Sequence, residues 1–129
     1  MIPKFRAWIK NDKEMIDVDE IHWFNGELDI IGDYITFVRK ADEIELMQST
    51  GLKDKNGKEI FEGDILGIET DEGILNVNIF WDDKHALFMF ESEIHNEKEL
   101  LAELVEDNTY SFEILGNIYE NPELLEGKE

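Results

Sequence analysis

The chain contains no cysteine, which removes disulfides, thiol nucleophiles and every cysteine-ligated metal or iron–sulfur site. It has no stretch approaching the roughly 20 apolar residues of a membrane helix, and Met1 to Lys10 alternates charge with hydrophobe where a signal peptide would carry an apolar run. Together these point to a soluble protein of a reducing cytoplasm. Basic residues are scarce as well: 12 Lys and Arg stand against 32 Asp and Glu, for a net charge of −20. Direct binding to a phosphate backbone needs a basic footprint that displaces counterions, so it is not expected.

What remains is enough to fold. The 129 residues are 42% hydrophobic and include 8 Phe, 3 Trp and 3 Tyr, a composition that supports an ordered core at this length. The acidity is uneven. Residues 91–129 hold 12 acids and 2 bases, a net of −10, while residues 1–48 and 49–90 each carry −5.

Periodicity predicts a mainly β protein with one helix. Lys4 to Lys10 alternates with period two, and Met15 to Phe24 reads as a second strand ending at Asn25-Gly26, a dipeptide whose tolerance of positive φ suits a type I′ turn. Tyr34 to Val38 and Glu43 to Gln48 are further strands. After Gly51 the texture changes to a polar, turn-rich segment with Asn56-Gly57 at its apex, which places a boundary near Ser49 between an N-terminal β subdomain (1–48) and a second subdomain (49–129). In the latter, Glu59 to Ile68 is a strand interrupted at Gly63-Asp64. Ile74 to Trp81 is the clearest strand, with Leu75, Val77, Ile79 and Trp81 on one apolar face, and His85 to Phe90 is its antiparallel partner. A helix is expected over 97–106, capped by Asn96 and striped by Leu100, Leu101, Leu104 and Val105. Ser111 to Tyr119 forms a last strand, and Asn121-Pro122 opens a helical turn. The economical arrangement is an SH3-like barrel at the C-terminal end with an additional N-terminal β layer.

Three blocks carry a resemblance: Lys4-Phe5-Arg6-Ala7-Trp8, the run from Met47 to Ile65 (MQSTGLKDKNGKEIFEGDI), and Ile114-Leu115-Gly116-Asn117-Ile118-Tyr119-Glu120-Asn121-Pro122. They resemble the YopX family of phage and prophage proteins across nearly the whole chain. The resemblance implies a β-rich protein whose C-terminal part is an SH3-like barrel. It brings no activity and no catalytic residues with it.

Chemical motifs fail on particular residues. Gly51 and Gly57-Lys58 look like a phosphate loop, but five residues separate the glycines where four are needed, and Glu59 stands where Ser or Thr would bind magnesium. Read from Asp54 as an EF-hand, the glycine falls at position four rather than six. Ser49, Ser92 and Ser111 lie outside any Gly-x-Ser-x-Gly elbow. His85, Glu91, Glu93 and His95 share odd numbering and would line one face of an unbroken strand; the plainer reading is a solvated face opposite Ala86, Phe88 and Phe90. Trp8, Trp23, Phe24, Phe80, Trp81, Phe88 and Phe90 read as core rather than as a base-stacking platform. No catalytic, cofactor or metal residue is therefore assigned.

The expectation for function is a non-enzymatic module that binds a protein partner of the host or of phage machinery, since acidic surfaces steer association with basic patches. A second reading is nucleic-acid mimicry by Asp82-Asp83, Glu97, Glu99, Glu103, Glu106, Asp107, Glu120, Glu123 and Glu126, against which stands acidity as mere solubility. A carboxylate or metal-assisted hydrolase is a third. Exposed strand edges leave room for a homo-oligomer.

Overall fold

A computed structural model describes residues 4–32, 38–92, 97–107 and 109–126. The chain divides into two compact units, residues 1–49 and 50–129. Among the described residues are twelve strands and one α-helix, and no helix is long and apolar enough to cross a membrane.

In the first unit, β1 (Phe5–Ile9) lies between β2 (Glu14–Val18) and the start of β6 (Ile44–Lys53), antiparallel to both. A separate sheet pairs β3 (Glu20–Phe24) with β4 (Glu27–Gly32) and β4 with β5 (Val38–Lys40). The expected single strand over 15–24 is thus two strands in different sheets. The break is at Asp19, whose amide donates to Gly32 O at 2.9 Å, a long-range bond invisible to local alternation. Of the expected strand at Tyr34 to Val38, residues 34–37 lie outside the described set. Asn25 and Gly26 both have positive φ, 53° and 80°, as a type I′ turn requires. Ala7, Ile9, Ile31 and Ile44 form this unit's buried core.

The second unit is built on a five-stranded antiparallel sheet that curls into half a barrel. Its order is β11 (Glu97–Leu100), β10 (Leu87–Ser92), β9 (Gly73–Asp82), β8 (Asp64–Thr70) and β12 (Phe112–Asn117). A short β7 (Glu59–Phe61) precedes β8. The alternation in β9 works as its pattern predicts through Ile79 and stops at Trp81, which is 39% exposed: Val77 and Ile79 are buried and join Leu66, Ile68, Ile60, Leu101, Leu104 and Phe112 in one core. The interruption at Gly63-Asp64 is the turn between β7 and β8, with Gly63 at φ 85°. The Asp64 carboxylate accepts the Phe61 amide there at 2.8 Å.

The helix differs from its prediction. Residues 97–100 are strand, and the α-helix, α1, runs Leu101–Asp107. Local spacing favours helix from Glu97, but those four residues pair with β10 from Ser92↔Glu97 to Met89↔Leu100. Ladder bonds of this kind are worth more than intrinsic propensity in a short segment. The stripe still packs where it should from Leu101 onward, with Leu101 and Leu104 buried and Val105 against the core. Asn96 and Asn108, the expected cap and stop, lie outside the described residues.

The two longest family-like blocks are hubs of backbone hydrogen bonding. At the first, Asp54 is buried. Its Oδ1 accepts the amides of Asn56 and Lys58, each at 2.9 Å, and its Oδ2 accepts that of Ile114 on β12 at 2.9 Å. One carboxylate therefore closes the 54–58 turn and fixes it to a strand 60 residues on. At the second, Asn117 Oδ1 accepts the amides of Tyr119 and Glu120, and Asn117 Nδ2 donates to Glu120 Oε1. Asn121 does not cap the 3-10 turn at Pro122–Leu125 with its side chain; its Oδ1 turns back to accept the Asn117 amide at 3.2 Å. Gly116 makes this possible, because a Cβ there would collide with the Asn121 side chain.

Burial of Asp54 opposes its ionisation, but the amides of Ile114, Lys58 and Asn56 and the charge of Lys58 more than offset that and hold the carboxyl below its usual value near 3.8. Because the folded value is the lower one, this stabilisation is complete above the unfolded value and is lost as pH falls through the folded one. Asp54→Ala leaves three amides without their acceptor and should cost about 3 kcal/mol in urea unfolding at neutral pH. Asp54→Asn should show a shallower loss of stability than the parent below about pH 4. Gly116→Ala should cost about 2 kcal/mol, and less than that when Asn121 is also changed to Ala, a non-additivity that a double-variant cycle would measure.

Candidate functional site

The concave side of the half-barrel opens beside α1, and its mouth is where apolar surface and unneutralised charge meet. The register that sets Glu99 opposite Phe90 puts both on the face that Ile79, also paired with Phe90, directs into the core. From there the chain passes straight from β11 into α1. Leu101 and Leu104 turn inward, and Glu103 and Asp107, one helical turn apart, share a face. The result is a cavity of about 210 Å³. Ile68, Leu75, Phe90 and Leu104 supply its apolar floor, and Glu99, Glu103 and Asp107 its rim, with Thr70 and Tyr110 at the sides.

Among the described residues no basic side chain lines this cavity. The side-chain carboxylates of Glu99 and Glu103 have no hydrogen-bond or ion-pair partner among the described residues. The neighbouring base, Lys98, is on the opposite face of β11, with its Nζ 5.9 Å from the Phe80 ring centroid. A second cavity of about 380 Å³ adjoins the first, shares Thr70 and Leu75 with it, and adds Glu72 and Glu97. A third, of about 470 Å³, lies against the Asp54 corner and is lined by Lys53, Lys55, Val105 and Phe112 among others. Lys55 is taken up there by Glu69 and Glu113, at 3.8 and 3.7 Å.

The other sequence candidates separate in space. His85 is in the turn before β10, not on a strand; the turn spans 83–86 and Ala86 takes φ 55°. Its Nδ1 pairs with Asp82 Oδ2 at 2.8 Å, and this contact comes first among the causes that lower the Asp82 carboxyl below its usual range. Glu91 sits on β10 opposite Asn78 and Lys98. Glu93 and His95 lie outside the described residues. Among the described residues no group of three or more His, Asp or Glu side chains has the arrangement to hold a metal ion.

The acids proposed as a stripe likewise have mixed roles. Asp82 and Glu120 hold turns, whereas Glu97, Glu99, Glu103 and Asp107 border the two cavities. The aromatic reading as core needs correction where side chains stay exposed: Trp23 and Phe24, at the tip of the β3–β4 hairpin, are 60% and 68% exposed. Trp81 is also partly exposed and meets Phe88 edge to face across β9 and β10, with ring centroids 4.9 Å apart. Sequence reasoning did not find Tyr110 or the mouth itself. The four-residue spacing of Glu99, Glu103 and Asp107 was a signal, but it looks like any solvated helix face.

The fold defines a small two-unit β protein with a curled sheet and an acid-rimmed mouth. The chain belongs to the YopX family, whose model (YopX protein) matches residues 4–126. Among solved structures it is similar to protein EF1440 from Enterococcus faecalis, at 31% identity and a TM-score of 0.70, with 98% of this chain and 99% of that one covered. It is also similar in fold to protein yopX from Bacillus subtilis, at 18% identity and a TM-score of 0.66, with 95% and 98% covered. No curated protein matches the chain.

Proposed function

We propose that the chain is a non-enzymatic module that binds a protein partner of the host or of phage machinery, with a basic segment of that partner seated in the mouth beside α1. The observation that carries this reading is the cavity of about 210 Å³ with an apolar floor and three carboxylates on its rim. Lysine and arginine match it from end to end: their aliphatic stems cover apolar surface while their charged heads reach the rim. The net charge of −20 adds long-range attraction to basic partners and repulsion from acidic ones.

The chemistry of the family-like blocks supports binding over hydrolysis. Asp54 and Asp64 are buried carboxylates, and both are engaged with backbone amides that hold turns. A mimic of nucleic acid would present its acids as an unbroken row standing in for phosphates. Here they surround an apolar floor, which favours a protein side chain as occupant.

Capture from a bacterial lysate with the protein and with its Glu99→Gln/Glu103→Gln variant tests the proposal. The parent should retain a partner that raised salt releases, and the double variant should retain at least about ten-fold less of it. Equal retention by the two proteins would overturn the reading. A retained set made up of DNA-binding proteins that duplex DNA displaces would replace it with mimicry.

A further inference from the structure

The mouth has a feature that specifies the form of its occupant. β11 is the end strand of the five-stranded order and, among the described residues, pairs with β10 on one side only. Residues 97–99 of β11 are exposed. In an antiparallel ladder an end strand turns half of its amides and carbonyls outward, where another strand can take them up. Glu97 and Glu99 lie opposite Ser92 and Phe90 and so share one face, the one that meets the cavities. Glu97 lines the larger cavity with Glu72, and Glu99 lines the smaller with Glu103 and Asp107. Two positions apart on a strand, they are about 7 Å from each other.

Resting on the proposed function above, we infer that β11 is a docking edge that takes an extended basic segment of the partner as a sixth strand, with lysine or arginine at alternate positions entering the two adjoining cavities. An added strand repeats the two-residue period of β11, so basic residues at i and i+2 arrive beside Glu97 and Glu99 together. The backbone supplies affinity and the alternate side chains supply selection. A second copy of this chain does not fit. β11 against β11 would bring glutamates opposite or diagonal to glutamates, which is repulsive, and no base among the described residues lining either cavity would relieve it.

The test uses a hexapeptide of alternating lysine and threonine, titrated into the full chain at low salt and followed by the amide resonances of β11 and α1. A peptide of the same composition with its three lysines in a block is the first control. Two further versions carry N-methyl groups on one or the other alternate set of backbone nitrogens. The alternating peptide should bind about ten-fold more tightly than the block peptide. One methylated version should lose that binding and the other keep it, because only one set of amides faces β11. Glu97→Gln/Glu99→Gln should bring the alternating peptide down to the block peptide.

Equal binding of alternating and block peptides, or equal behaviour of the two methylated versions, would overturn strand addition. So would the absence of any shift in β11 at millimolar peptide. None of these results decides the broader reading, which the lysate capture with the Glu99→Gln/Glu103→Gln variant decides separately.

Discussion

The carboxylate of Asp54 is the tie on which the second unit depends. A sheet that curls through half a barrel must bring its last strand back beside segments that were laid down much earlier in the chain, and β12 returns to β8 from 60 residues beyond Asp54. Closing such a loop costs entropy whatever its sequence. Hydrogen bonds to a charged acceptor are the stronger kind, and Asp54 makes three of them, two within its own turn and one to Ile114. The turn is thus shaped and anchored by the same two oxygen atoms. Lys55 reinforces the junction through its own amide, which donates to Phe112 O at 3.2 Å.

Once that corner is fixed, the far end of β12 needs its own stop, and the Asn117 network supplies it. The strand carries an irregularity between Ile114 and Gly116. The extra residue, Leu115, is 39% exposed, and a Cβ added at Gly67 would stand 2.8 Å from its Cδ1. Glycine at 67 is what lets the bulged side chain lie down on the sheet. Gly63 O then accepts the Ile118 amide, so the β7–β8 turn and the end of β12 are joined by backbone alone. At Asp54 and Asn117 the blocks that carry the family resemblance are places where side chains satisfy backbone donors that no strand partner takes up.

Much of this was legible in advance, for reasons that differ by residue. Val77 and Ile79 announced their face because a strand half buried in a core must alternate. Asn25-Gly26 announced its turn because few dipeptides accept two positive φ angles. The failures share one cause. Glu97 to Leu100 looks helical taken by itself, and Met15 to Phe24 looks like one strand, until a partner distant in sequence takes the hydrogen bonds. His85 fell on the wrong element for a related reason: Asp82 O accepts the Ala86 amide at 2.8 Å, which prolongs the turn through the first two residues of the expected strand. Nor could spacing distinguish Glu99 and Glu103 from ordinary solvated acids, since the apolar floor beneath them comes mostly from β8, β9 and β10, with Leu104 alone from α1.

The same long-range pairing that displaced the helix also makes the mouth. Had residues 97–107 been one continuous helix, Glu99, Glu103 and Glu106 would have formed an outward acidic face, and the sheet would have ended at β10 with Phe90 near its edge. Pairing 97–100 with β10 instead moves the sheet edge outward by one strand. It turns Glu97 and Glu99 toward the concave side and leaves a seven-residue helix to cross beside them. Acids that local sequence would have spent on solvation are thereby gathered around apolar surface, where an unneutralised carboxylate attracts a cation more strongly than it does in open water. Concentration of negative charge in the last third of the chain thus has a geometric counterpart: β11 and α1, which carry part of it, stand at an opening of the curled sheet where apolar surface and carboxylates lie side by side.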